Sequence, residues 1–472
     1  MVLHHSGLGE MFARWYSEEF SSTHTFAHVE TSPWEEELET AAAQLAKLLS
    51  EGAVDQADPR NFAHQVPVPS KAALLGLFMG AVYQQNQAAR ELSPVTSSLE
   101  DQVIESYARM LGLGQEAWGY LCSGGTSASL HAVWTHTKRA GESSVDLICS
   151  RATHVSVERI AGALKGVRLQ RLDCDAHERI DVGAVAQAVK GSLVAGRLPV
   201  VVATCGTTGA GQIDPVADLV ELRRTTPFVL HVDGAWGGFL ATLTTTGRLG
   251  RSTRDVAALA HADSIGIDPH KMASMPVGCG VILYRDPELR ALVHRQSPYV
   301  FVEGRGHSYG QLSLTMSRNG MYASAHWLQN QVCPLTAEGL GSDVEQILEG
   351  ARTLADEMER AGMRLLFEPT VGIVVCVPAR ATMSETNAVV LQVAAECLWH
   401  DERPTQSLPT ISTYRITAPA VLERIGRETG VVRDTGELHA FRMVVASPPR
   451  PGFRPHAMAV ARGLTQRCTR LR

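Results

Sequence analysis

The chain has 472 residues, 44% hydrophobic and 19% charged, with 43 basic against 49 acidic side chains for a net charge of −6. That balance excludes wholesale disorder, collagen and long coiled coil, and without a basic stripe no nucleic-acid partner is expected. Nine cysteines, none in a CxxC pair or at metal-ligand spacing, read as free thiols of a reducing compartment with no metal site. Glu10, Arg14, Glu18 and Glu19 stand where a signal peptide needs its apolar stretch, and no later run reaches the ~20 apolar residues of a membrane span. A cytoplasmic protein without membrane contact is the expectation.

Residues 1–85 read as a mainly helical segment. Apolar residues recur at helical spacing in WEEELETAAAQLAKLLSEG and SKAALLGLFMGAVYQQN, with Pro59, Pro67 and Pro69 breaking the chain between them. Residues 86–335 alternate helices with short apolar runs: helix SSLEDQVIESYARMLGL, a turn, helix SASLHAVWTHTKRAG, strand DLICS, helix VSVERIAGALKG, a strand near VRLQRL, helix DVGAVAQAVKGSLVAG and strand LPVVVATCG. The continuous runs PVVVA, FVLHV and VILY mark strands buried on both faces, so an α/β fold with a mostly parallel central sheet is predicted. Residues 336–472 read as a smaller α+β domain: helix DVEQILEGARTLADEMERAG, strands RLLFEP and GIVVCVP, helix ETNAVVLQVAAECLWH, strands TYRITA and FRMVVAS, and helix PHAMAVARGLTQRC.

Four segments at predicted strand ends carry residues that packing alone does not explain, and ligands of such sheets bind beyond the carboxyl ends of the strands. Cys122 to Ala128 opens a helix with small residues, so amides and hydroxyls around Gly125 and Thr126 would cradle an anion at the positive helix end. A capped helix after a glycine turn is the plainer alternative. His154 follows strand DLICS, where it would stack on a planar ligand or simply face solvent. In HVDGAWGG, Asp233 ends an apolar strand before Gly234 and Ala235. A buried carboxylate there needs a cation such as a protonated heterocyclic nitrogen, unless it caps the next turn. In Asp268-Pro269-His270-Lys271 the lysine reaches the mouth of the sheet, where desolvation or a neighbouring cation favours a nucleophilic amine.

In this order, separated by βα-sized steps, the segments resemble the group II amino acid decarboxylases that depend on pyridoxal 5'-phosphate, of the aspartate-aminotransferase-like fold type I. The likeness rests on SGGTSASL, CGTTGAGQIDP, HVDGAWGG, DPHKM with PVGCGVILYRD, and SRNGMYASAHW, with NFAHQVPVPS and LSPVTSSLEDQVIESYARMLGL upstream. It covers residues 55–335; the C-terminal part agrees only in element order.

The resemblance implies decarboxylation of an L-amino acid to its amine. Lys271 would form the Schiff base and Asp233 would pair with the pyridinium nitrogen, keeping the ring an electron sink. His154 and Ala235 would cover the two ring faces, Gly125, Thr126 and His270 would hold the phosphate, and Thr208 would lie near the 3'-oxygen. A homodimer with shared sites is implied, Ser317 reaching the neighbouring subunit's phosphate. The family takes its general acid from a loop tyrosine, and SPYVFVEGRGHSYGQLSLT offers Tyr309 first, then Tyr299 and His307, with Gly304, Gly306 and Gly310 suited to a lid. Substrate contacts are expected from Phe62, His64, Gln65 and Arg442, the last where the family often has a carboxylate-binding arginine. Gly234 replaces the family's usual Ala. Met272 follows the lysine where the aromatic branch tends to have Trp, and the loop after Tyr299 is short; both features resemble bacterial and archaeal aspartate, glutamate or tyrosine decarboxylases. The alternatives are a carbon–carbon lyase or aldehyde-forming oxidative decarboxylase on the same scaffold, and a non-catalytic regulatory homologue, against which intact Lys271 and Asp233 argue.

Overall fold

A computed structural model describes residues 7–20, 35–141, 143–297, 300, 307–397 and 410–471. The N-terminal periodic stretches are helices: α1 (Leu8–Trp15), α2 (Glu35–Gly52), α3 (Lys71–Tyr83) and α4 (Pro94–Leu111). The Ser70 hydroxyl caps α3 by accepting from the Ala73 amide at 3.0 Å. Pro94 opens α4 and Gly112, at φ 69°, ends it in the left-handed conformation that a side chain would strain.

The central sheet follows as β1 (Trp118–Cys122), α5 (Gly125–Arg139), β2 (Val145–Ser150), α6 (Ser156–Ala163), β3 (Val167–Leu172), α7 (Val182–Val194), β4 (Leu198–Thr204), α8 (Val216–Leu222), β5 (Val229–Asp233), β6 (Ser264–Ile267) and β7 (Gly280–Tyr284). Its order is β1-β7-β6-β5-β4-β2-β3. Strands β3, β2, β4, β5 and β6 are mutually parallel, and β7 runs against both its neighbours. The expected mostly parallel α/β sheet is therefore present, with two corrections. VILY lies on the one reversed strand, and Trp118–Cys122, read from sequence as a turn, is a strand that pairs with β7 in the register Leu121↔Val281. Five residues interrupted by Gly119 carry too little pattern to be told from a loop.

Because β1, β2, β4, β5 and β6 run the same way, their last residues Cys122, Ser150, Thr204, Asp233 and Ile267 gather on one edge of the sheet. Beyond them come α9 (Met321–Val332), packed on α3 and α4, and α10 (Leu340–Arg360). A second, antiparallel sheet contains β8 (Met363–Leu365), β9 (Ile373–Pro378), β10 (Ser412–Ile416) and β11 (Leu438–Val444) in the order β10-β11-β9-β8; α11 (Met383–Cys397) packs on it, α12 spans Pro419–Thr429, and α13 (Phe453–Arg470) packs on α10 and α11. One apolar core joins the two sheets, running from Leu230 and Phe239 through Trp236 to Ile373 and Phe441. The Trp236 indole donates to the Val371 carbonyl at 2.5 Å. The second sheet is thus fixed against the strand ends where the candidate residues lie. No helix among the described residues is long and apolar enough to cross a membrane.

Candidate active site

The turn from β1 into α5 is built by glycine. Gly124 sits at φ 145°, and a Cβ on it would lie 3.1 Å from His270 Cε1; on Gly125 it would lie 3.0 Å from both Ala235 Cβ and Asp268 Oδ2. Side chains are excluded, so the backbone itself lines the space. Helix α5 begins at Gly125 without a side-chain cap, leaving the amides of its first turn for a ligand.

A cavity of about 320 Å³ opens there. Gly125, Thr126, His154, Thr208, Asp233, Ala235, His270 and Lys271 all line it. Five segments far apart in sequence therefore converge, because each follows a strand whose carboxyl end is at this edge. Asp233 is buried, and its Oδ1 accepts from the Ala235 amide at 3.0 Å. The capping role is real, and the second carboxylate oxygen, with no hydrogen bond among the described residues, stays available to a cation in the cavity. His154 lies at the exposed rim. The Ser156 amide, which can only donate, is 3.3 Å from His154 Nδ1, so that nitrogen is an acceptor and the ring proton sits on Nε2. His270 Nδ1 donates to the Cys279 carbonyl at 2.6 Å.

Asp268 was given no role by the sequence reading, yet it organises the lysine. Its Oδ2 lies 3.1 Å from Lys271 Nζ and 3.6 Å from His270 Nε2, while its buried Oδ1 has no partner among the described residues. The signal was present: an acid three residues before a lysine in a tight turn reaches the same side of the chain.

The sequence matches the pyridoxal-dependent decarboxylase conserved domain over residues 26–377. The chain belongs to that family. Among curated relatives it is similar to a probable L-tyrosine/L-aspartate decarboxylase of Methanothrix thermoacetophila, 29% identical over 60% of this chain and 69% of the relative. Probable L-aspartate decarboxylases of Halobacterium salinarum (34%, 46% of this chain, 57% of the relative) and Pyrococcus furiosus (30%, 60% and 73%) also match. In fold the chain is similar to Oryza sativa TDC solved with PLP and tryptamine, at a TM-score of 0.76, 15% identity and 98% and 97% coverage of the two chains.

The cavity of this pyridoxal-dependent decarboxylase fits its cofactor. A glycine-lined helix start suits a phosphate, a buried carboxylate oxygen suits a protonated ring nitrogen, and an amine stands at the cavity wall with a histidine at the rim. Pyridoxal 5'-phosphate is the cofactor of this family, and these residues would hold it.

The remaining candidates lie elsewhere. Ser317 is exposed, does not line its own chain's cavity, and accepts from Asn86 Nδ2 at 3.3 Å. Tyr309 is buried outside the cavity; its hydroxyl donates to Asp101 Oδ1 at 2.6 Å, and burial together with that carboxylate pushes its phenol well above the usual range. Within its own chain Tyr309 is a packing and hydrogen-bonding residue that does not line the Lys271 cavity. Tyr299, Gly304 and Gly306 lie outside the described residues. Phe62 is 3% exposed, edge-on to Phe453 at 6.2 Å, and does not line the Lys271 cavity. His64 and Phe62 border a separate cleft of about 610 Å³ that contains neither Lys271 nor Asp233. Gln65 buries an Nε2 that has no partner among the described residues. Arg442 on β11 reaches the site from behind, donating to the carbonyls of Thr208 (2.8 Å), Gly209 (3.2 Å) and Ala63 (3.1 Å) and to the Ser412 hydroxyl (3.1 Å).

Proposed function

We propose that this decarboxylase removes the α-carboxylate of a short acidic L-amino acid, aspartate first. The observation that carries the choice is Arg442. It is 7% exposed, every hydrogen-bond partner it has among the described residues is neutral, and burial pulls its guanidinium down to about 10. A buried charge without a counter-charge invites an anion. Its carbonyl partner Thr208 lies on the rim of the Lys271 cavity. Burial and the neighbouring Arg442 together lower His64, so the guanidinium is the cation on this side. The names of the archaeal relatives support the same substrate.

When bound, pyridoxal 5'-phosphate supplies an aldehyde for amine capture and a ring that withdraws electrons from the bond being broken. Lys271 would hold the cofactor through Nζ, and Asp233 would keep a proton on the ring nitrogen. His154 and Ala235 would shield the ring from water, and Gly125, Thr126 and His270 would bind the phosphate. Tyr299 is the proposed acid at the substrate carbon; the commitment of Tyr309 to Asp101 supports that assignment over the first-choice tyrosine.

A homodimer is part of this reading, supported by Ser317, which is exposed and does not line its own chain's cavity. Residues 1–85 would contribute to that interface, residues 86–335 hold the cofactor and residues 336–472 supply Arg442. Nine free cysteines support a reducing, cytoplasmic setting. The test is carbon dioxide release over the twenty amino acids with added cofactor. Aspartate is expected to give the highest kcat/KM; release confined to aromatic substrates overturns the acidic assignment.

A further inference from the structure

Among the described residues strand β1 is an edge strand paired only with β7, so alternate backbone groups along it face no other described strand. At Leu121, three residues before Gly124, a buried ion pair takes the place of the missing neighbour. Glu100 Oε1 accepts from the Leu121 amide at 2.8 Å, Arg318 Nη1 donates to the Leu121 carbonyl at 2.6 Å, and those two side-chain atoms are 3.0 Å apart. Glu100 is wholly buried, and the Arg318 side chain is 12% exposed. The rings of Tyr309 and Tyr120 flank the guanidinium, with centroids 5.2 and 5.8 Å from it. Tyr309 in turn donates to Asp101, so two adjacent acids of α4 hold Tyr309 and Arg318.

Such a pair is a costly way to gain stability. Glu100 Oε2 and Arg318 Nε and Nη2 are buried without partners among the described residues, and buried ion pairs often repay their desolvation poorly. What the pair does uniquely is grip both backbone groups of one residue at the root of the turn. We infer that Glu100 and Arg318 are positioning residues for the phosphate cradle, fixing the end of β1 and through it the amides from Gly124 to Thr126. The inference rests on reading that turn as the cofactor's phosphate site.

The experiment titrates apoprotein with pyridoxal 5'-phosphate by tryptophan fluorescence, with inorganic phosphate as competitor, alongside thermal unfolding. Glu100→Gln and Arg318→Lys are expected to raise the dissociation constant at least about tenfold, the order typical of groups that orient the ligands of a bound metal. The apolar double variant Glu100→Leu/Arg318→Met removes both charges, so its melting temperature should recover toward wild type while its cofactor affinity does not. Affinity that returns together with the melting temperature, or conservative variants that bind as wild type does, would show a purely structural pair and overturn the inference. A wild-type protein that fails to bind the cofactor overturns the cofactor reading itself and the inference with it.

Discussion

Lys271 Nζ lies 3.1 Å from Asp268 Oδ2 across the same tight turn, on the wall of the cavity where the glycines of the β1–α5 turn exclude side chains. The carboxylate pairs with Nζ, which has to leave this contact to attack an aldehyde. Asp268→Asn preserves the shape and removes the counter-charge. Stopped-flow absorbance of apoprotein mixed with pyridoxal 5'-phosphate is expected to show faster Schiff-base formation at neutral pH in this variant. A slower rate would mean that the carboxylate assists capture.

Arg442→Met should raise KM for aspartate at least about 30-fold, the lower end of the cost of truncating one partner of a buried charge pair. The ratio of kcat/KM for aspartate to that for alanine is the informative readout, because general damage to the Thr208 loop lowers both. An unchanged ratio removes Arg442 from substrate recognition.

Tyr309→Phe deletes a hydroxyl whose partner is Asp101. Its expected effect is on thermal stability, with the amine product retained. Tyr299→Phe should slow amine release by about 100-fold, a usual size for general-acid catalysis, and divert product toward aldehyde or pyridoxamine 5'-phosphate. The reverse pattern would return the acid role to Tyr309, acting on a partner's site.

Burial sets a pH dependence of stability. Asp214, which accepts from the Ile180 and Thr204 amides at 2.7 Å each, is pushed by burial from 3.8 up to about 7. Glu178, which accepts from the Tyr414 hydroxyl, is pushed by burial from 4.5 up to about 7. Both folded values exceed the unfolded ones. Their contribution is therefore full below the unfolded values and is lost as pH rises through about 7. Glu178→Gln cannot ionise, so its loss of unfolding free energy between about pH 5 and 8 should be smaller than wild type's by roughly 1 to 3 kcal/mol. Equal losses in denaturant titrations at the two pH values would contradict this.

Much of the scaffold was legible because buried parallel strands write themselves as unbroken apolar runs, as in PVVVA and FVLHV, and because the site residues each sit in a short motif at a strand end. What escaped depends on contacts between distant residues. A phenol in a glycine-rich segment looks like an acid, and nothing local tells that Tyr309 meets Asp101, 208 positions away. Phe62 belongs to the core only once α13 brings Phe453 to it. The grip of Glu100 and Arg318 on Leu121 joins residues 218 apart around an edge strand too short to announce itself.

The most direct test of the account is NMR product analysis of the wild-type protein with pyridoxal 5'-phosphate and aspartate labelled at the α-carboxylate. The account predicts labelled carbon dioxide and an equal amount of β-alanine, abolished in Lys271→Ala and reduced at least about 100-fold in Asp233→Asn, a usual cost of losing a preorganised electrostatic group. Aldehyde with hydrogen peroxide as the wild-type product, or β-alanine formed as well by Lys271→Ala as by wild type, would contradict it.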